Sequence, residues 1–276
     1  MTVTATDKRS AFRHLHEAGC FVMPNPWDAG SAILLESLGF KALASTSAGF
    51  AWSLGRPDYA VSLDEVLDHL TALAGAVDLP VNADFENAFA HVPEDVAANV
   101  ARAVETGIAG LSVEDSRRDA QAPLYDFSQA VERVSAARAA IDASGSGVLL
   151  TARSEGFFVG QPDFDETLRR LVAYSDAGAD CLYAPGLRDE AQIAALVRAV
   201  APKPVNVLTL GLPVATLAEL GVRRISVGGS LARAALGEFL RAAEEIAGTG
   251  SFATFERGAP GGRLNGIFAE RLGDRP

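Results

Sequence analysis

The stretch VNADFENAFA, residues 81–90, changes from a strand pattern to a loop pattern over a few positions. It begins with the apolar residues of a buried strand and then places two carboxylates, Asp84 and Glu86, where the apolar run stops. Acidic side chains at the end of a buried strand either bind a cation or face water. This stretch leaves both alternatives open, and the rest of the chain must decide between them.

Short apolar runs of this kind recur eight times along the chain and alternate with longer segments of helical pattern. Such alternation predicts parallel strands joined by helices, and eight strands predict an α/β fold of the (β/α)8 TIM-barrel type. The long interval between the second and third strands predicts a working loop. The predicted strands are residues 21–24, 42–45, 81–84, 110–114, 148–153, 181–184, 205–208 and 224–227.

The length of 276 residues fits one barrel, and 49% hydrophobic with 21% charged residues predicts a sizeable core. We therefore expect a single domain over residues 1–276, with an N-terminal helix before the first strand and a helical tail after the last. His14 and His16 on the N-terminal helix have no evident partners in the sequence, so we expect both at the surface.

The net charge of −11 disfavours binding to nucleic acid or to anionic membranes. The sequence has no signal-peptide pattern and no apolar run of the roughly 18 residues that a membrane helix needs, so we expect a cytoplasmic protein. Cys20 and Cys181 each adjoin an apolar run, which predicts buried free thiols and no disulfide.

In a (β/α)8 barrel the active site lies at the carboxyl ends of the strands, and here these ends are polar. The acids after the third and fourth strands would repel one another at one mouth, and a divalent cation would relieve that repulsion. An all-oxygen ligand set indicates Mg²⁺ or Mn²⁺. The polar residues at the strand ends are Asn25, Trp27, Asp28, Ser45, Thr46, Ser47, Asp84, Glu86, Glu114, Asp115, Arg153, Glu155, Asn206 and Thr209.

Two of these assignments have structural alternatives. The acids could instead cap the helices that follow them, as Asp115 could readily do. Arg153 could bind a substrate carboxylate or phosphate through its bidentate guanidinium, or it could form a salt bridge with Glu155 or Glu114.

Six motifs in chain order, from about residue 12 to residue 241, resemble the isocitrate lyase and phosphoenolpyruvate mutase superfamily. They are MPNPWDAGSA, STSAGFAWSLGRPD, NADFENAFA, LSVEDS, TARSEGF and ISVGGSLARAA. The resemblance implies a barrel whose last helix is swapped between subunits of a homodimer or homotetramer, with Mg²⁺ (or Mn²⁺) at the mouth. It also implies substrates that are small 2-oxo acids or related carboxylates.

The resemblance further implies roles for individual residues. Asp84 corresponds to the direct metal ligand, and Glu86 and Glu114 to acids that reach the metal through water, with Glu114 also counted as catalytic. Arg153 corresponds to the arginine that stabilises the enolate. The remaining candidates are a catalytic polar group, Asp58, and the substrate-binding residues Trp27, Asp28, Ser45, Thr46, Ser47 and Asn206.

The chain departs from the superfamily in the loop after the fourth strand. Isocitrate and methylisocitrate lyases carry a Lys-Lys-Cys-Gly-His loop there, whereas residues 116–127 read SRRDAQAPLYDF, with neither Cys nor His. A missing thiol acid leaves water, Tyr125 or another group to protonate the enolate.

We therefore predict a Mg²⁺-dependent lyase that cleaves a carbon–carbon bond of a small 2-hydroxy or 2-oxo dicarboxylic acid through a pyruvate-type enolate. The alternative within the scaffold is a mutase or hydrolase-type reaction on phosphoenolpyruvate or phosphonopyruvate. The alternative of another class is a barrel that binds a metabolite without catalysis.

Overall fold

The computed structural model describes residues 3–209 and 211–273, and it contains eight parallel strands with helices between them. Residues 1–2, 210 and 274–276 of the predicted domain lie outside this description. The predicted strands are confirmed to within one residue at each end. They are β1 (Phe21–Met23), β2 (Leu43–Ala44), β3 (Val81–Asp84), β4 (Gly110–Glu114), β5 (Leu149–Arg153), β6 (Cys181–Tyr183), β7 (Val205–Leu208) and β8 (Arg224–Ser226).

The strands form one sheet in the order β1-β8-β7-β6-β5-β4-β3-β2, which is a nearly closed (β/α)8 barrel. The seam lies between β1 and β2, which share no ladder. Just beyond β1, the Pro24 carbonyl accepts a hydrogen bond from the Ala44 nitrogen at 3.0 Å. Asn25 adds a side-chain bridge across the seam, because its Nδ2 donates to the Ser45 carbonyl at 2.8 Å. A single backbone bond and one amide therefore join the two edges.

The helices connect the strands around the outside of the barrel. Their boundaries follow ordinary capping chemistry: Ser62 and Thr4 form capping boxes with the acid three residues further on, and Pro93 occupies the first turn of its helix. The helices are α1 (Ala5–Leu15), α2 (Ala29–Ser37), α3 (Ser47–Ser53), α4 (Leu63–Ala76), α5 (Pro93–Val104), α6 (Phe127–Ser144), α7 (Phe164–Asp176), α8 (Glu190–Val200), α9 (Val214–Glu219), α10 (Ser230–Thr249) and α11 (Gly261–Gly273), with a 3-10 turn at Ala253–Arg257.

Helix α1 closes the barrel at the amino ends of the strands. The Phe12 ring is fully buried there and lies so close to β4 that a Cβ on Gly110 would come within 2.6 Å of it. The Lys8 ammonium is also buried and donates to the carbonyls of Ala74 and Val77 at the end of α4. An aromatic ring and a capping cation therefore dock α1 onto the barrel.

The surface prediction for His16 is wrong, although His14 is exposed as expected. The His16 ring is partly buried, with Nδ1 2.7 Å from the Phe12 carbonyl and Nε2 3.3 Å from the Arg224 guanidinium. Burial and the charge of Arg224 lower the His16 pKa to about 3. The ring is therefore neutral at physiological pH, and Nε2 accepts a hydrogen bond from Arg224.

Both cysteines are free thiols, as predicted, but only Cys181 is fully buried. Cys20 is half-buried and precedes β1. No helix among residues 3–209 and 211–273 is both long and apolar enough to span a bilayer.

Helix α10 packs little against its own barrel, since Ala232 is its one buried residue within the described chain. Large apolar side chains on α10 and the 3-10 turn instead face outward, and Phe239 is 67% exposed. Helix α11 returns to α2 and α4, where Arg271 donates to the Ala76 carbonyl and pairs with Asp78 and Glu36.

We predict that Asn25→Leu weakens the barrel at its seam. Asn25 is buried, and besides its bond to Ser45 its Oδ1 accepts from the Val227 and Gly228 nitrogens at 2.9 Å each. Leucine would leave these three backbone groups unpaired, at a cost of about 1 kcal/mol or more each. Chemical denaturation should show a loss of about 3 kcal/mol in the free energy of unfolding. Asn265→Leu, the same change at an exposed position on α11, should cost less than about 0.5 kcal/mol; equal losses would contradict the prediction.

Candidate active site

A cavity of about 130 Å³ opens at the carboxyl ends of the strands and extends into the barrel. This is small against the roughly 300–1,000 Å³ of sites for drug-sized ligands, so it suits a compound of few heavy atoms. The predicted site residues that line it are Ser45, Thr46, Ser47, Asp58, Asp84, Arg153 and Asn206. Tyr59, Tyr183, Phe158 and Arg224 line it as well.

Arg153 at the end of β5 is the centre of the charge arrangement. Its Nη1 lies 2.5 Å from Asp84 Oδ1, and its Nη2 lies 3.2 Å from Glu114 and 2.9 Å from Glu155. The salt-bridge alternative is therefore realised, with three acids. Although burial opposes its charge, the carboxylates of Glu155, Asp84 and Glu114 raise the pKa of Arg153 well above its usual value. The guanidinium is a fixed positive charge beside the cavity.

The turn after β2 holds Asp84 from the other side. Ser45 Oγ accepts from the Asp84 nitrogen at 2.8 Å, and the Ser47 nitrogen donates to Asp84 Oδ2 at 3.0 Å. Thr46 caps α3 by accepting from the Gly49 nitrogen. Gly49 must lack a side chain, because a Cβ there would lie 2.7 Å from Thr46 Cγ2. The hydroxyls of the turn line the cavity, while one backbone donor is already used by Asp84.

Glu86 and Glu114 lie behind the cavity wall and are almost fully buried. Arg118, on the loop after β4, pairs with Glu86 and lies 4.0 Å from Glu114 Oε1. Burial raises the pKa of Glu86 to about 7, against the opposing charge of Arg118 and with the added repulsion of Asp84. Burial likewise raises the pKa of Glu114, and it raises that of Glu155 to about 7. Carboxyl groups outnumber guanidinium groups at this mouth.

The loops that carry these residues are strained. Five residues other than glycine have a left-handed φ between 51° and 66° in the described chain, and all five lie in the loops that connect β2 to β3, β3 to α5 and β4 to α6. Left-handed conformations of such residues cost free energy and persist where the surroundings impose them. They are Tyr59, Glu86, Ala88, Phe89 and Arg118.

Arg133 on α6 is one group that holds this strained backbone. Its buried guanidinium donates to the carbonyls of Asn87, Ala90 and His91, which follow Glu86 directly. No motif or periodicity predicts that an arginine of a flanking helix shapes the loop after β3.

Several predicted residues do not reach the cavity. Trp27 and Asp28 are absent from its lining, and Asp28 instead caps α2 by accepting from the Ser31 nitrogen at 2.6 Å. Asn206 lines the cavity, but its amide is engaged by Arg224 and Ser226.

Asp115 caps no helix, contrary to the structural alternative. Its carboxylate accepts from Tyr174 at 2.6 Å, from Arg170 at 3.2 Å and from the Glu155 nitrogen at 2.8 Å. This buried cluster connects the end of β4 to α7 and fixes the position of Glu155.

The loop of residues 116–127, which lacks Cys and His, folds back on itself through a bridge between Ser116 and Leu124. Tyr125 is buried, and its hydroxyl lies 2.7 Å from His91 Nδ1 and donates to the Ala90 carbonyl at 3.2 Å. It does not line the cavity, so the structure gives it no access to a substrate there.

The residues at the mouth fit a hard divalent cation by their chemistry. Within residues 3–209 and 211–273, no three His, Cys, Asp or Glu side chains already form a cation cage. However, Mg²⁺ is commonly bound by one or two carboxylates and several waters, and Asp84 offers a carboxylate at the cavity. Behind it, Glu114 Oε1 is buried and has no hydrogen-bond partner among the described residues. The excess of carboxyl groups and this unpaired oxygen both suit a bound cation.

Comparisons with known proteins agree with this architecture. The sequence profile of the family described as phosphoenolpyruvate phosphomutase matches residues 12–247. An oxaloacetate decarboxylase of Pseudomonas aeruginosa is 31% identical over an alignment of 234 positions that covers 80% of this chain and 78% of that protein.

Two solved structures are also similar. A Burkholderia cenocepacia protein provisionally assigned as a lyase or mutase is 49% identical, with a TM-score of 0.94 over 96% of this chain and 97% of that one. An oxaloacetate acetylhydrolase in complex with its product oxalate is 26% identical, with a TM-score of 0.85 over 98% of both chains.

We predict that Glu86→Gln reduces the pH dependence of stability of the metal-free protein. The folded-state pKa of Glu86 is raised from 4.5 to about 7, so the folded state binds more protons than the unfolded state between these values. The free energy of unfolding must then fall as pH rises through this window. The contribution of Glu86 is on the order of 3 kcal/mol.

Denaturation in chelator at about pH 5 and about pH 8 measures this fall. The variant should lose less stability than the wild type between the two values, because Glu155 still titrates and Glu86 no longer does. Identical losses in both proteins would show that Glu86 is not held protonated by burial.

Proposed function

Since the chain belongs to the phosphoenolpyruvate phosphomutase family, within the isocitrate lyase and phosphoenolpyruvate mutase superfamily, we propose that it is a Mg²⁺-dependent carbon–carbon lyase of a small 2-oxo dicarboxylic acid. Oxaloacetate is the first substrate to test. The reaction would be decarboxylation through the enolate of pyruvate.

One observation carries this proposal: Asp84 and Arg153 form an ion pair on the wall of a small cavity that the hydroxyls of Ser45 and Ser47 also line. A carboxylate that can bind a cation then stands beside a permanent guanidinium and hydroxyl donors. An enolate distributes its charge over two oxygens, and such an arrangement stabilises both.

The residues divide this work in the following way. Asp84 would hold Mg²⁺, with Glu86 and Glu114 as the further acids near it. When bound, Mg²⁺ supplies Lewis-acid stabilisation of the developing enolate. Arg153 adds positive charge at the same point, and the Ser45–Ser47 turn orients the substrate carboxylate.

Asp58 completes the wall opposite Asp84. Burial and the negative charge of Asp84 raise its pKa, while the Ser47 side chain and the Tyr59 nitrogen oppose this rise by hydrogen bonding. Asp58 Oδ1 accepts from the Tyr59 nitrogen at 3.0 Å. We assign Asp58 a positioning role for the loop that covers the cavity.

The altered loop after β4 favours decarboxylation over the isocitrate lyase reaction. Isocitrate lyases use a cysteine of that loop to protonate the departing enolate, and this chain has none there. Loss of the carboxylate on C3 of oxaloacetate requires an electron sink while the bond breaks, and the enolate can take its proton afterwards from an acid outside that loop. Relatives that are named for oxaloacetate support this choice.

We predict that the protein releases pyruvate from oxaloacetate above the spontaneous rate when Mg²⁺ is present, and that Asp84→Ala reduces this rate to background. Asp84 is a cavity-wall residue with a partly exposed side chain, so its loss removes a metal ligand with little loss of core packing. A coupled assay for pyruvate, run with Mg²⁺ and with chelator, measures both effects.

Malate, citrate and phosphonopyruvate are the competing substrates in the same assay. Release of phosphate from phosphonopyruvate, with no pyruvate from oxaloacetate, would contradict the carbon–carbon lyase and support the reaction at a carbon–phosphorus bond. Stabilisation by oxalate and Mg²⁺ without turnover of any substrate would support the non-catalytic barrel. Full activity of Asp84→Ala in chelator would contradict the metal assignment.

We also propose that a second copy of this chain covers the α10 surface. We define this surface by five exposed apolar side chains of α10, the 3-10 turn and the residue before that turn: Leu236, Phe239, Leu240, Phe252 and Phe255. A helix that packs so little against its own barrel suits the exchange between subunits that the family resemblance implies.

We predict that light scattering at micromolar concentration gives at least twice the chain mass of 28.8 kDa. Phe239→Glu should lower the measured mass, because it places a charge at the centre of the α10 surface. Asp165→Lys, at a site on α7 far along the chain from that surface, serves as the charge-change control and should leave the mass unchanged. A monomeric wild type would contradict the proposal.

A further inference from the structure

Tyr59 occupies a strained position on the wall of the cavity. It follows Asp58 in the loop between α3 and α4, and its φ is 66°, a value that suits glycine and costs a tyrosine free energy. The site therefore holds a phenol at a position where the backbone would favour the smallest residue.

The other protonatable groups that line the cavity are already engaged. Asp84 accepts from Arg153 and from the Ser47 nitrogen, and Asp58 accepts from the Tyr59 nitrogen. Tyr183 packs its ring against Arg153, whose guanidinium carbon lies 5.2 Å from the ring centre. The Tyr59 hydroxyl, in contrast, has no hydrogen-bond partner among residues 3–209 and 211–273, so its proton is available to a ligand.

Arg118 supports the same phenol from outside the cavity. Its guanidinium carbon lies 4.2 Å from the centre of the Tyr59 ring and 5.8 Å from that of Phe89, and the guanidinium also pairs with the acids Glu86 and Glu114. A cation over an aromatic face stabilises the negative charge that a phenol gains when it loses its proton. Burial and the nearby charge of Glu114 raise the pKa of Tyr59, so the phenol is protonated at neutral pH.

We propose that Tyr59 is the catalytic residue that delivers the proton to C3 of the enolate, in place of the absent cysteine acid. This inference rests on the proposed lyase function. When the C3–CO₂ bond breaks, its electron pair remains in the enolate. The C3–H bond then forms as the Tyr59 O–H bond breaks, and the phenolate recovers a proton from water.

The test is the exchange of the methyl protons of pyruvate for deuterium, followed by proton NMR in D₂O with Mg²⁺. By microscopic reversibility, the group that protonates C3 also removes its proton. The wild type should catalyse the exchange, and Tyr59→Phe should slow it by about 100-fold or more, the contribution typical of general acid–base catalysis. Stabilisation of the protein by oxalate and Mg²⁺ should be unchanged in this variant.

Two further variants separate chemistry from folding. Tyr59→Gly suits the left-handed φ and should lose exchange while the melting temperature of the metal-free protein is kept or raised. Tyr125→Phe removes a phenol that does not line the cavity and should exchange at the wild-type rate.

The outcomes distinguish this inference from the function on which it rests. A wild type that binds oxalate and exchanges pyruvate, with an equal rate in Tyr59→Phe, overturns the role of Tyr59 alone. The role is also overturned if Tyr183→Phe loses exchange while Tyr59→Phe keeps it, or if the wild type binds oxalate without exchange. A wild type with neither oxalate binding nor exchange overturns the proposed function and this inference together.

Discussion

The buried ion pairs of Arg153 are the interaction on which the site depends. This guanidinium connects Asp84 of β3, Glu114 of β4 and Glu155 beyond β5, so three neighbouring strand ends are held by one side chain. Removing the guanidinium would leave these acids without their counter-charge, at a cost of about 3–5 kcal/mol. Carboxyl groups also outnumber guanidinium groups at the mouth, and this composition suits the cation that we propose for the site. The same ion pairs therefore hold three strand ends together and set the charge of the cavity wall.

The strands could be predicted from the sequence because each is a short apolar run between clear helix boundaries, and buried parallel strands allow no other pattern. The acids at the end of β3 and β4 and Arg153 at the end of β5 followed from the rule that strand ends meet at one mouth. These predictions needed only local pattern and the topology of the barrel.

The residues that could not be predicted depend on contacts between distant segments. His16 looked like a surface residue of an amphipathic helix, yet it accepts from Arg224, more than 200 residues further along the chain. Arg133 and Arg118 act through backbone and side-chain partners on other loops, for which no periodicity gives a signal. Asp28 was expected in the site because it follows β1. Its carboxylate instead caps α2 by accepting a hydrogen bond from the Ser31 nitrogen. A residue type at a strand end therefore indicates a candidate, and competing local hydrogen bonds decide whether it reaches the cavity.

The strained residues around the mouth have a consequence for the way this protein could change. Each left-handed residue that is not glycine is a position where a glycine would relieve backbone strain. Tyr59 lines the cavity and the other four lie in the loops after β3 and β4, so the chain keeps this reserve of stability in the loops around its candidate site and not in its scaffold. Directed evolution for heat resistance alone would select glycine at these positions early, and these substitutions would reduce catalytic activity. Selection for activity at high temperature would instead have to recruit substitutions on the outer helices, where the backbone is already relaxed.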